Sequence, residues 1–334
     1  MNKPDRRRFL ATALGLAGLV ADRASSAAWN QRNLEGSRMT MKTSFERDGL
    51  TLAAMLYTPP NFDAAVRYKA IVVAGSLTSV KEQMAATYGQ KLAEKGFVAL
   101  AFDYSHYGES EGQPRQLESP EEKLADLKAA VGYLASLPFV QAVGMVGVCT
   151  SAGNAAYLAA EDPRVKAIAT VAAFLPEPSL NQRVFGAPEV ARRRAAGAAA
   201  KLRFEATGEQ LMLPTYSTVD PTAVNYNPKG SYDYYFNKQR GGVPEWQNAF
   251  AVMSFGPFLD FNPIAKAPSI KMPTMVVHSD GSAFPDQAKK FHSQLAGPKE
   301  LAWGDGNHYD YYDQPAQVDF AVKNVAEFLH RRLA

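Results

Sequence analysis

A single cysteine in 334 residues excludes a disulfide framework and a thiolate metal cluster, since each needs at least two thiols. No apolar run approaches the 18 residues that would cross a bilayer. There is no His-Glu-x-x-His, no ligand-spaced group of acidic and histidine residues and no phosphate-binding glycine loop, so neither a metal nor a cofactor is expected. Charged residues make up 21% and hydrophobic ones 46%, which excludes a disordered chain, a collagen-like repeat and a coiled coil.

Excess charge is also missing once its origin is located. The net charge is +3, from 36 Lys and Arg against 33 Asp and Glu; residues 1–28 hold five of the basic and two of the acidic residues, leaving 31 of each. A neutral body gives nucleic acid and anionic membranes nothing to select, so neither is expected as a partner. The cluster Arg192–Arg194 lies on an Ala-rich stretch and reads as a solvated helix face.

The charged start reads as an address. Arg6-Arg7-Arg8 precedes Phe9-Leu10, a 13-residue uncharged stretch runs from Phe9 to Ala21, and small residues follow at Ser25, Ser26, Ala27 and Ala28. A basic start, a short apolar middle and a small-residue end form an export signal. Arg6-Arg7-x-Phe9-Leu10 resembles the twin-arginine type, so residues 1–28 are expected to engage the twin-arginine export machinery and the mature protein to be soluble, periplasmic or secreted.

From residue 42 the pattern is α/β. Met41–Asp48 and Leu50–Pro59 flank the hairpin signal Asp48-Gly49. Apolar strands Lys69–Gly75, Phe97–Asp103, Val143–Val148 and Val165–Phe174 alternate with helices Glu82–Lys95, Pro120–Leu137 and Thr150–Ala160. The alternation stops at 175 and resumes after Pro273 with strand Thr274–Ser279, helix Pro285–Leu295, strand Glu300–Trp303 and a final helix from Pro315. A mostly parallel eight-stranded sheet covered by helices on both faces is expected. Its core would comprise 29–174 and 271–334, with 175–270 inserted as a mainly helical cap. The aromatics of that insert, among them Tyr216, Tyr232, Tyr235 and Trp246, could line a pocket or form the cap's own core, and packing is the commoner use.

The chemistry centres on Val146-Gly147-Val148-Cys149-Thr150-Ser151-Ala152-Gly153, which leaves a buried strand and enters a helix almost without a loop. This is the context of a nucleophile elbow, with small residues where strand and helix approach closely. Cys149 holds the nucleophile position at a helix N-terminus, where the partial positive charge favours thiolate. An exposed thiolate there would be oxidised reversibly to sulfenic acid. The Thr150 amide points to an oxyanion, and the loop Gly75-Ser76-Leu77-Thr78 is expected to give a second donor from Leu77, with Ser76 next. Of five histidines, His308 follows the last strand and is the expected base; His330, His292, His106 and His278 suit surface, loop or packing roles. Asp280 directly follows Val276–Ser279 and is the expected acid, with Asp286 as the alternative. The order Cys149, Asp280, His308 is that of the α/β-hydrolases.

Together these motifs resemble the dienelactone-hydrolase-like branch of the α/β-hydrolase superfamily over about residues 42–332. The resemblance is carried by Ser79–Gln83, Phe102-Asp103, Gly108-Glu109-Ser110, Gly147–Gly153, Tyr232–Tyr235, Val277–Asp280 and Gly306–Asp310 with Tyr312-Asp313. The subgroup with a cysteine elbow is similar to hydrolases of unsettled substrate and to fungal polyketide acyltransferases. Against that pattern, Gly75-Ser76 replaces the usual His with Gly or Pro, Asp280 stands where Glu is common, and the later acid position holds Ser282.

The expected activity is cofactor-free hydrolysis of a small acyl substrate (ester, thioester or lactone) through a Cys149–His308–Asp280 triad and an acyl-thioester. Acyl transfer by the same residues, or a non-catalytic binding protein of the same fold, are the alternatives.

Overall fold

The computed structural model describes residues 40–229 and 231–333; the export-type segment 1–28 lies outside the described residues. The chain opens with a hairpin, β1 (Thr40–Arg47) and β2 (Leu50–Tyr57), paired antiparallel through Asp48 and Gly49, both at positive φ. An Asp-Gly pair suits that tight turn because both central residues must adopt left-handed backbone. Next come β3 (Tyr68–Ala74), α1 (Met84–Glu94), β4 (Val98–Phe102), α2 (Pro120–Ser136), β5 (Val140–Val148), α3 (Thr150–Glu161) and β6 (Val165–Val171). After a long insertion the sheet is completed by β7 (Thr274–Gly281) and β8 (Lys299–Asn307).

The eight strands form one sheet in the order β1-β2-β4-β3-β5-β6-β7-β8, parallel from β4 onward. The apolar runs of β3, β4 and β5 are buried on both faces. Each fully buried Val, Ile or Leu contributes roughly 1.5–3 kcal/mol. The chain moves outward from β3 to β4 and then returns to place β5 on the other side of β3. Such a reversal opens a crevice at the carboxyl ends of the strands. There Ala74 pairs with Gly147, so the loop after β3 and the elbow after β5 lie side by side.

Two strands differ from their expected bounds in ways that matter for the crevice. β6 ends at Val171, not Phe174; Ala172 takes a positive φ, and the Phe174 N–H donates to the Cys149 carbonyl at 3.0 Å. β8 runs on to Asn307 and delivers His308 directly, helped by a register shift between Ser279 and Gly281 of β7.

Between β6 and β7 the chain forms α4 (Pro178–Phe185), α5 (Ala187–Thr207), two short strand pairs and several short helices. Leu77, from the loop after β3, packs into the apolar cluster of Val190, Phe250, Phe255 and Leu259 in this segment. The arginines of the basic cluster pair with Glu189 and Asp260. α6 (Pro285–Gln294) and α7 (Pro315–Arg332) complete the helical cover. The described residues belong to one compact unit.

Candidate active site

Cys149 sits between β5 and α3 at φ 56, ψ −117, a conformation that costs a residue with a Cβ about 1–3 kcal/mol. Its own backbone holds it there. The Cys149 N–H donates to Val171, and its carbonyl accepts from Ala152 and Phe174, each at 3.0 Å. Gly147 is required because a Cβ would collide with the Ser151 backbone. These bonds aim the sulfur into the crevice rather than into the sheet.

Two backbone N–H groups reach that sulfur, one from Thr150 and one from Leu77. Ser76, the other residue considered for this part, is turned elsewhere: its N–H meets the Met84 sulfur at 3.5 Å and its Oγ lies 2.7 Å from the Tyr235 hydroxyl. The Leu77 loop is anchored by buried charge. Asp103 accepts from the Lys81 amide at 2.7 Å, from Lys81 Nζ at 2.9 Å and from the Glu109 amide at 2.9 Å. Burial pulls the Lys81 ammonium down, but Asp103, Glu109 and Glu82 more than offset this and hold it charged. Gln83 ties the loop's far end by accepting from the Val80 N–H and donating to the Gly241 carbonyl.

His308 is brought to Cys149, with Nε2 3.3 Å from Sγ. Its other nitrogen carries the main correction to the expected triad. Nδ1 accepts the Ala283 backbone N–H at 3.2 Å, so no carboxylate occupies it. Asp280 is directed outward to Lys289 Nζ at 3.2 Å and is exposed. It lies on the β7 bulge, and the chain turns back under the ring only at Ala283. Asp286 is exposed in the first turn of α6. Ser282 Oγ pairs with Ser279 Oγ at 2.9 Å.

Because Nδ1 receives a proton donor, a neutral His308 carries its own hydrogen on Nε2. Burial, and then the neighbouring His278, push the His308 ring down to about 3. Burial likewise pushes the Cys149 thiol up, against the hydrogen bonds from Tyr312, Thr150 and Leu77 that favour its ionised form. Cys149 as a whole is only 7% exposed. The expectation of an exposed, acidified thiolate is therefore corrected. Burial outweighs the helix terminus, yet the surroundings are hydroxyls and amides rather than hydrocarbon alone.

Those hydroxyls come from tyrosines to which the sequence reading gave no role at the sulfur. Tyr312 O–H lies 3.0 Å from His308 Nε2. Tyr235 bonds Tyr312, Ser76 and Tyr216, the last at 3.1 Å. The signal for Tyr312 was its place four residues after His308, which suits one face of a single helical turn. That turn, Asp310–Asp313, is pinned by the Asn307 N–H on Asp310 at 2.7 Å and by Arg240 on Asp313. Nothing local marked the Ala283 amide.

The other histidines lie apart from the sulfur. His330 stacks on Phe97, His292 is on α6, and His106 is buried beside Glu122. His278 is buried and accepts the Ala173 N–H at 3.1 Å. Among the described residues no group of three or more His, Cys, Asp or Glu side chains could hold a metal ion, and no helix is long and apolar enough to cross a membrane.

Residues 52–190 match the family model described as Dienelactone hydrolase family. The chain is 31% identical over 309 residues to YcjY of Escherichia coli (strain K12), covering 88% of this chain and 100% of that protein. It is 26% identical over 272 residues to "Thiohydrolase aneE" of Aspergillus aculeatus, covering 78% and 84% respectively. The crystal structure of hypothetical protein PA2218 from Pseudomonas aeruginosa superposes with a TM-score of 0.77 at 28% identity, over 90% of this chain and 95% of that one. With the sheet order, the elbow and these likenesses in agreement, the chain belongs to the dienelactone hydrolase family of α/β-hydrolases.

Proposed function

We propose that the protein is an acyl hydrolase that works through a covalent thioester on Cys149. The observation that carries this reading is one sulfur, on an elbow, facing His308 Nε2 at 3.3 Å on one side and the Leu77 and Thr150 amides on the other. Sulfur attacks the carbonyl carbon and an S–C bond forms. The carbonyl π electrons move onto oxygen, which the two amides receive. Collapse expels the leaving group, and water then releases the acid and restores the thiol.

His308 moves the protons once its lone pair faces sulfur. It takes the thiol proton, passes it to the leaving group, and repeats the cycle with water. In the arrangement described, Nε2 carries hydrogen, so this requires the Ala283 N–H to leave Nδ1. Phe284, the next residue, has left-handed backbone at φ 49. That position is strained for a side chain of its size and suits a segment that moves.

The acyl group fits an apolar class. Phe174, bonded through its backbone to Cys149, stacks near Phe258 at 6.3 Å and meets Phe284 at a tilt at 5.9 Å, and all three rings are half-buried. The name of the Aspergillus relative, a thiohydrolase, favours a thioester within this class.

The test is mass spectrometry of the intact protein after mixing with esters, thioesters and lactones, alongside Cys149→Ala. An acyl adduct on Cys149 that decays to free acid supports the reading. Turnover without an adduct, or by the Ala variant, rejects it. Product carrying an added alcohol or amine would assign acyl transfer instead. Export through the Arg6-Arg7 signal is proposed separately; Arg6→Lys with Arg7→Lys should retain the protein in the cytoplasm.

A further inference from the structure

The chemistry so far leaves one buried group at the reacting atoms without a task. Tyr312 is fully buried, its hydroxyl 3.0 Å from His308 Nε2, which itself lies 3.3 Å from the Cys149 sulfur. The three polar atoms, Sγ, Nε2 and the phenol oxygen, therefore meet at one point. The ring is set by edge-on contacts with Tyr234 at 4.9 Å, Tyr309 at 5.3 Å and His308 at 5.4 Å. Behind the hydroxyl stands a chain of others: Tyr235 bonds Tyr312, Ser76 Oγ lies 2.7 Å from the Tyr235 hydroxyl, and Tyr216 donates to Tyr235 at 3.1 Å. Tyr235 stacks on Tyr216 at 4.4 Å and on Trp246 at 5.1 Å, and Trp246 donates to Thr78 Oγ1 at 3.4 Å.

The hydroxyl has work because His308 in this arrangement is a donor. The Ala283 N–H on Nδ1 leaves hydrogen on Nε2, and Nε2–H faces both Sγ and the phenol oxygen. We infer that Tyr312 is a further catalytic residue of the Cys149 site: its hydroxyl accepts from Nε2–H in the arrangement described, and donates to the sulfur once the thiol proton has left, to His308 Nε2 in turnover or to solvent in a titration. The Tyr235–Ser76 chain keeps it in place for the exchange. A hydrogen bond to an ionised group is about twice as strong as one between neutral groups, so the donated bond favours thiolate over thiol. A preset chain of hydroxyls strengthens it further.

The groups facing this point bear out a neutral pocket in which a single donor counts. They are Thr150 and the Leu77 amide from the elbow side, Tyr216 and Tyr235 from the insert, and His308, Tyr309 and, behind the ring, His278 from the C-terminal part. On the tyrosine side Arg240, paired with Asp313, lies over the Tyr234 ring.

The inference rests on Cys149 being the reacting group, and the experiment separates the two. Alkylation of Cys149 by iodoacetamide is followed by mass spectrometry from pH 5 to 11 in the full chain, Tyr312→Phe and Tyr235→Phe. Hydrolysis by Cys149→Ala is measured in parallel. Removing the Tyr312 hydroxyl should move the alkylation midpoint up by about one pH unit and slow alkylation at pH 7 about tenfold. Tyr235→Phe should give a smaller shift in the same direction. A merely structural role would change thermal stability without moving the midpoint. If both variants fold and titrate as the parent does, the inference is overturned. If Tyr312→Phe does not fold, an unshifted Tyr235→Phe midpoint overturns it. Should Cys149→Ala keep its turnover, the acyl-enzyme reading fails and the catalytic assignment of Tyr312 falls with it, even where the Tyr312 shift appears. Should that variant be inactive with no Tyr312 shift, only this assignment fails.

Discussion

The Ala283 backbone N–H donates to His308 Nδ1 at 3.2 Å, where a carboxylate was expected. A carboxylate on Nδ1 would stabilise an imidazolium; an amide N–H opposes one, because both partners would then be donors. This single contact, with burial, biases the site toward neutral imidazole and neutral thiol.

The pH dependence follows directly. His308 is pushed down to about 3, so it stays neutral from pH 5 to 8 and contributes no acidic limb there. The thiol is pushed up by burial, so the thiolate fraction rises only on the alkaline side. kcat/KM should therefore show no ionisation near pH 6 to 7, and alkylation of Cys149 should still be climbing at pH 9. A bell with an acidic limb near 6.5 would contradict this.

Asp280→Asn should leave kcat/KM within about twofold of the parent, because the exposed pair with Lys289 is screened by water and remote in function from His308. A loss of a hundredfold or more would restore Asp280 as the orienting acid.

Lys81→Met leaves the buried Asp103 carboxylate without its cation. Breaking such a pair typically costs about 3–5 kcal/mol. Chemical denaturation should register that loss. Hydrolysis should fall more than stability alone explains, since the loop presenting the Leu77 amide is tied to the same Asp103.

Cys149→Ala should lower kcat by about a thousandfold or more, the scale seen when a covalent nucleophile is removed. A steady-state assay with an aryl ester or thioester checks this, and the protein should remain folded because the side chain is small and the strained backbone is held by its own hydrogen bonds.

The Asp48-Gly49 hairpin signal placed β1 and β2, and the alternation of apolar runs and amphipathic stretches placed the other six strands, whose central members are nearly all apolar because both their faces are buried. The elbow was equally legible: strand, small residues and helix leave no room for a loop, and Gly147 and Cys149 stand where the backbone requires them. His308 and Leu77 stand beside Cys149 by the same local logic, each following a strand end that opens on the crevice. Asp280 was expected as the acid because it directly follows the apolar run Val276–Ser279, a local reading that takes no account of the strand's register. A bulge at Ser279–Gly281 turns its side chain outward and brings the later Ala283 amide under the ring.

Amino-acid order alone set the secondary-structure pattern, the sheet type and the positions of sulfur and imidazole, since periodicity and steric demand act over a few residues. Ionisation and partnership were decided by folding. Whether the thiol is acidified or suppressed depends on burial against a helix terminus, and which group reaches Nδ1 depends on a register shift. Tyr312, Tyr235 and Ser76, far apart along the chain, acquire a shared role only when the insert and the C-terminal turn close over the same sulfur.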